Sequence, residues 1–269
     1  MADVTICKDR ETEVRWRRSL PGFALVGGME NEITIRLQDT PETAECTPMK
    51  PGRIVLSLRH IPGSDGTVVA DFGDFLIHEN TAEVPVSLFI PDSVSRGFYK
   101  LHIVQYNKDN RPIGVYSAWV AIDSKVEPIP DNYAELSGIR AQLADLYGED
   151  NKMLDGLEFG TGDIVEAADR CLQQWCSTAP RVSNYTGANF PYAELLRNGI
   201  IAMLLQSVCH LLGRNEMTYQ AEGIAVNLEK RLQYYQGLLS QYNTLWRSGM
   251  AQMKNEKNVY GFINHLAYV

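Results

Sequence analysis

The hydrophobic pattern of the chain changes period once. From Glu13 to Asp123 apolar and polar residues alternate in short runs: NEITIRLQD (31–39), GRIVLSLRHI (52–61), AEVPVSLFIP (82–91), GFYKLHIVQYN (97–107) and IGVYSAWVAID (113–123). A period of two turns every second side chain to the same face, so these runs predict strands with one face on a core and one in water. Between them, PGSDGT (62–67), PDSVSRG (91–97) and NKDNRP (107–112) are made of turn formers. About seven strands at this spacing predict an immunoglobulin-like antiparallel β-sandwich over residues 1–124. Cys7 and Cys46 are not placed for the inter-sheet disulfide of an antibody-type domain, and Trp119 falls late rather than centrally.

SKVEPIPDNYAEL (124–136) interrupts the alternation, because its two prolines suit neither a helix interior nor a continuing strand. Residues 125–133 are read as a linker, with Asp131 or Asn132 available to cap the next helix. Beyond it the period lengthens to that of a helix. Leu136, Ile139, Leu143 and Leu146 fall on one face, and Asp163 and Glu166 stand at capping-box spacing before Ile164, Ala167, Ala168, Cys171, Leu172 and Trp175. PYAELLRNGIIAMLLQSVCHLLG (191–213) is apolar nearly all round and predicts the central helix of a bundle. From Ala221 to about Asn255, apolar residues recur every three or four positions, Tyr235, Tyr242 and Trp246 among them. Part of that seam is expected against another subunit, or else it lies along the bundle with VYGFINHLAYV (259–269) as its cover. The fold class predicted is α+β in two domains, with an α-helical bundle over residues 134–269 that ends in a long last helix.

A formal net charge of −8 argues against a protein that holds duplex DNA, since such binding neutralises phosphates with clustered Lys and Arg. The charges of MADVTICKDRETEVRWRR predict no export signal, and GIIAMLLQSVCHLLG (199–213) reads as too short to span a bilayer, so no membrane partner is expected. The five cysteines are scattered and predict free, mostly buried thiols. There is no phosphate-cradling glycine loop, no GxSxG and no HExxH in the chain. Cys209 and His210 with Cys171 or Cys176 form the best metal candidate, but they supply three ligands where structural zinc takes four. Asp150, Asp155 and Glu158 miss the alternate positions of an EF-hand loop. The expectation is no enzyme, no cofactor and no metal. RWRR (15–18) reads as an edge or interface patch.

CLQQWCSTAPRVSNYTGANFP (171–191) places Trp175, Tyr185, Phe190 and two prolines in a Ser/Thr/Asn-rich connection between two apolar helices. Trp175 and Phe190 are expected to insert into the bundle. Arg181 and Tyr185 are expected at the tip of a projecting loop, being residue types common in binding hot spots. The other reading is a loop that packs back on its own helices.

The ordered runs MLDGLEFGTGDIVEAADRCLQQW, NYTGANFP, LLGRNEMTYQAEGIAVN and KNEKNVYGFINHLAY resemble virion structural proteins of tailed bacteriophages. The positions that carry the resemblance are Trp175, Pro180, Tyr185, Thr186, Asn189, Phe190, Pro191, Arg214, Asn215, Gly223, Lys254, Asn258, Gly261 and Tyr268. The N-terminal half, through FGDFLIHENTAEVPVSLFIPDSVSRGFYKLHIVQYNKDNRPIGVYSAWVAI, resembles β-sandwich modules of virions, including N-terminal domains of upper-baseplate proteins. The resemblance implies a subunit that works by symmetric assembly in the virion after synthesis in the host cytoplasm. Its implied place is a neck ring between portal and tail, with homo-oligomer contacts, other portal, neck or tail proteins as partners, and non-specific contact with packaged DNA. The interface residues expected on this reading are Trp175, Arg181, Tyr185, Phe190, Arg214, Tyr235, Tyr242 and Trp246. The alternatives are a tail or baseplate protein anchored by its sandwich, or a carbohydrate- or receptor-binding module using Trp16, Tyr106, Tyr116 and Trp119.

Overall fold

The computed structural model describes residues 2–7, 22–38, 49–62, 67–78, 81, 83–123, 136–145, 158–181, 183–214, 220–221, 224–225 and 229–266. The linker over 125–133, RWRR, Trp16, Cys46, Asn215, Gly223 and Tyr268 lie outside them. Among the described residues the chain is α+β, with a strand-rich N-terminal half followed by four helices.

Eight strands come first: β1 (Ala2–Cys7), β2 (Gly22–Val26), β3 (Glu30–Gln38), β4 (Gly52–His60), β5 (Val68–Ile77), β6 (Val84–Phe89), β7 (Gly97–Asn107) and β8 (Pro112–Asp123). They form a three-stranded sheet, β1-β3-β6, and a five-stranded sheet, β2-β8-β7-β4-β5. The alternation works as expected on β4, where Ile54, Leu56 and Leu58 are buried and Arg53, Val55 and Ser57 less so. Ile33, Ile35, Val84, Val86 and Leu88 from the small sheet join Ile54, Leu56, Leu58, Leu101, Ile103, Tyr116 and Val120 from the large one in a single core.

The sheets are not purely antiparallel, which corrects that part of the expectation. β1 pairs parallel to β3, and β2 pairs parallel to β8. Alternation reports which face a strand buries and carries no information on the direction of its partner. The Tyr99 hydroxyl donates to Ser95 O at 2.5 Å and ties the corner before β7 to the strand itself.

The helices are α1 (Leu136–Leu143), α2 (Thr161–Ser177), α3 (Ala193–Arg214) and α4 (Glu229–Leu266). A two-strand ladder, β9 (Gln220–Ala221) with β10 (Ile224–Ala225), stands where the last helix was expected to begin. The Gly160 N–H donates to Asp163 Oδ2 at 2.9 Å, so Asp163 is the third helical residue of α2 and Gly160 its cap, three residues earlier than the expected capping box of Asp163 and Glu166. α3 contacts each of the other three helices. It is long and apolar enough by composition to cross a membrane, and half of that window is buried inside the chain. Its 22 residues exceed the short span read from sequence.

α2 lies on the outer face of the large sheet, against β8, β2 and β7, with α3 on its other side. Phe98, Ala121 and Ile61 from the strand half therefore belong to the same core as Ile164, Cys171, Trp175, Ile200 and Trp246. Gly22 and Gly162 make this approach possible, since a Cβ on Gly22 would fall on the backbone of Gly162.

Candidate interface site

The connection between α2 and α3 folds back onto the molecule at both ends. Trp175, at the end of α2, meets Phe190 edge-to-face at a centroid distance of 5.1 Å, with Tyr185 at 6.0 Å and Tyr192 at 6.1 Å. Offset and edge-on rings of this kind add about 0.5–1.5 kcal/mol per pair beyond the area they bury. Its other anchor is Gly187. The Gly187 N–H donates to Ile61 O at 2.8 Å, and Gly187 O accepts from the Phe98 N–H at 3.3 Å. Only a glycine permits this seat, because a Cβ there would stand 2.5 Å from Phe98 O and 2.9 Å from Ile61 Cγ1.

α4 closes the site with two lysines. Lys254 is 1% exposed, and its ammonium donates to Trp175 O at 2.5 Å, to Thr178 O and to Pro180 O at 3.2 Å, 5.1 Å from the Trp175 ring centroid. These carbonyls lie at and just past the C-terminus of α2, where unpaired acceptors and the negative end of the helix dipole favour a cation. Burial lowers the Lys254 pKa, with Arg181 acting in the same direction and Cys176 opposing. Lys257 donates to the Tyr185 hydroxyl and lies 4.6 Å from the Tyr185 ring and 5.7 Å from the Tyr192 ring. Loop 178–192 thus joins the sheet to α4.

Of the residues expected at an interface, Trp175, Phe190 and Trp246 are buried within the chain itself and present no surface to a partner. For these three the interface expectation gives way to a core role, since each ring finds enough apolar surface inside its own fold. Tyr185 is half-buried beneath Lys257 instead of standing at a projecting tip, whereas Arg181 is exposed. Tyr235 is half-buried and donates to Glu158 at 3.3 Å; Tyr242 is also half-buried. Arg214 is exposed at the end of α3 and shares a groove with Trp246. The aromatic platform considered for glycan binding is not laid out as one surface. Tyr116 is in the sandwich core, Tyr106 lies under Arg53 and Trp119 under Lys100.

Lys257, Tyr192 and Gly187 escaped the sequence reading. Lys254 entered it only through the resemblance, although its spacing was a signal: Trp246, Met250 and Lys254 follow one another every four residues, so the lysine continues a buried stripe.

Burial pushes the thiols of Cys171, Cys176 and Cys209 above their ordinary pKa, which keeps them protonated and poor nucleophiles at neutral pH. Among the described residues no group of three or more His, Cys, Asp or Glu side chains could hold a metal ion, so Cys209 and His210 do not meet Cys171 or Cys176 as ligands.

No family model matches the chain, and comparison with the curated proteins finds no match. Among the solved structures similar to this chain are two at low identity. One is the N-terminal domain of phage TP901-1 ORF48, at 9% identity and a TM-score of 0.29, covering 46% of this chain and 99% of that one. The other is a structure of the fibronectin(III)-like modules of Clostridium thermocellum CbhA, at 15% identity and a TM-score of 0.23, covering 42% of this chain and 96% of that one.

Proposed function

We propose that this protein is a structural subunit of a tailed-bacteriophage particle, placed in the neck as a ring between portal and tail. The observation that carries the reading is a pair of uncovered apolar surfaces on different elements. α2 covers only part of the outer face of the large sheet. The rest is a row of Val55, Val104 and Val115 in register across β4, β7 and β8, flanked by Ile113 and Leu76, with Leu76 65% and Val115 48% exposed. The second surface is on α4, where Tyr234, Leu245, Val259 and Tyr260 are exposed, Tyr260 to 67%. Apolar side chains left open on a sheet face, and others spaced along one helix, offer places for another protein to bind. Two unlike surfaces are what a head-to-tail contact requires, and such contacts form a ring when the rotation between subunits closes. The immunoglobulin-like character expected of the strand half and the ordered motifs of residues 150–269 support the same class of protein.

The test is quantitative mass spectrometry of purified virions of the phage that encodes the chain, with the portal protein as internal standard. About one copy per portal subunit is expected of a ring stacked on the portal, because stacked rings tend to share symmetry. A clearly different ratio would move the protein to the tail, baseplate or capsid surface, and absence from the particle would end the structural reading.

A further inference from the structure

The outer face of the large sheet is apolar at both ends and polar between them. At one end Ile61, Phe98 and Ala121 belong to the helical core. In the middle Ser57, His102 and Ser117 stand in register across β4, β7 and β8. The next row is Val55, Val104 and Val115, and at this end Val115 is 48% exposed and Ile113 39%. Three neighbouring strands spaced about 4.8 Å apart make the row about 10 Å wide, which is the width of one α-helix.

Each of two surfaces in this chain joins apolar area to a charge, and the charges are opposite. On the sheet, Arg111 is exposed in the turn before β8, two residues from Ile113. Arg53, nearby, is already engaged, paired with Asp74 and lying 4.6 Å from the Tyr106 ring. On α4, Leu245, Gln252 and Val259 follow at steps of seven, two helical turns each, and so share one side, all three exposed. Trp246, Met250 and Lys254 are buried on another side. Val259 is 56% and the adjacent Tyr260 67% exposed. Glu256, exposed three residues before Val259, accepts from Gln252 Nε2 at 3.0 Å, which holds its carboxylate toward that side. Residues two apart on a strand lie about 6–7 Å apart, and residues three apart on a helix about 5–6 Å. The step from Arg111 to Ile113 therefore matches the step from Glu256 to Val259.

We propose that the open end of the large sheet receives the C-terminal part of α4 from a second copy of this chain, with Val259 and Tyr260 on the valine row and Glu256 against Arg111. The occupant is a second copy because one chain carries both halves of the contact, matched in width, in spacing and in the sign of charge. This contact rests on the reading of the protein as a ring-forming subunit and specifies how neighbours meet: each copy uses its sheet once and its helix once.

The experiment is sedimentation velocity on the full chain over a range of concentrations, with the folding of each variant checked by circular dichroism. The parent is expected to assemble. Val115→Asp spoils the sheet face and Val259→Asp the helix side, and each alone should weaken assembly by about tenfold or more. Mixed in equal amounts, the two variants keep one sound contact, the helix of the first on the sheet of the second, and should form pairs of one each. Arg111→Glu should weaken assembly by about tenfold, and Glu256→Arg added to it should restore it. Leu76→Glu, at a residue 65% exposed on the same face, replaces Val115→Asp if that variant loses its fold. A parent that stays monomeric, assembly untouched by either aspartate, a mixture no more associated than its components, or a charge swap that restores nothing would each overturn the contact. Assembly that persists through both aspartates keeps the ring reading with a different interface, whereas absence from the virion ends that reading whatever the purified chain does.

Discussion

At the scale of single residues the site is governed by what burial does to charge. Lys254 is held by three carbonyl oxygens, and Lys254→Met would leave them without their donor, Trp175 O in a buried place and Thr178 O and Pro180 O in partly buried ones. The variant is expected to lose about 2–4 kcal/mol, read as a lower urea midpoint, and to speed hydrogen exchange at the Gly187 amide as the loop loosens. An unchanged midpoint would mean that water replaces the ammonium. Asp169 presents the opposite case. Burial, chiefly, raises its pKa above the ordinary 3.8, against the pull of Lys100 and a hydrogen bond from Gln173, and its Oδ1 is buried without a partner. Between 3.8 and the raised value the native state keeps a proton that the unfolded chain has released, so stability falls as pH rises through that window. Asp169→Asn removes this titration. The stability of the variant relative to the parent should therefore grow as pH rises from 3.8 and level off above the folded pKa, and denaturation midpoints that keep a constant difference across pH would reject the assignment. In the sequence Asp169 reads as an ordinary surface charge on a helix, and the burial of Lys254 is signalled only by its place four residues after Met250 on the stripe of Trp246.

Among the elements, those with strong periodicity were legible and those defined by a partner were not. β4, β7 and β8 fall within a residue or so of their expected runs, because one-sided burial writes itself as alternation. The run of β5 carries acids and a glycine at φ +78°, Gly73, near a register shift against β4, and these break the alternation that marks a strand. α4 begins eight residues later than expected and continues to Leu266, beyond the expected stop near Asn255, so residues 259–266 prolong the helix. Loop 178–192 turned on two contacts distant in sequence, Gly187 on Ile61 and Phe98, and Lys257 on Tyr185. Gly187→Ala places a methyl against Phe98 O and Ile61, and is expected to destabilise the fold by about 1–3 kcal/mol in chemical denaturation. An alanine variant as stable as the parent would show that the loop can lift from the sheet at little cost.

For the whole molecule the important relation is the placement of α2 between the large sheet and α3. It buries Phe98, Ala121 and Ile61 in the helical core and leaves Leu76 and Val115 bare on the same sheet. An outward-facing phenylalanine at position 98 and an outward-facing valine at 115 look alike in an alternating strand. Which of them is covered depends on where a helix more than forty residues further along comes to rest. By itself the sequence determined that strands precede helices, where most of them run, and that Trp175 and Phe190 turn inward, because periodicity and side-chain size act locally. Only the tertiary structure decided the parallel pairing of β1 with β3 and of β2 with β8, the folding back of loop 178–192, and the clasp by Lys254 and Lys257. Each of these is a meeting of segments far apart in the chain, and local pattern holds no record of which distant surface a residue will meet.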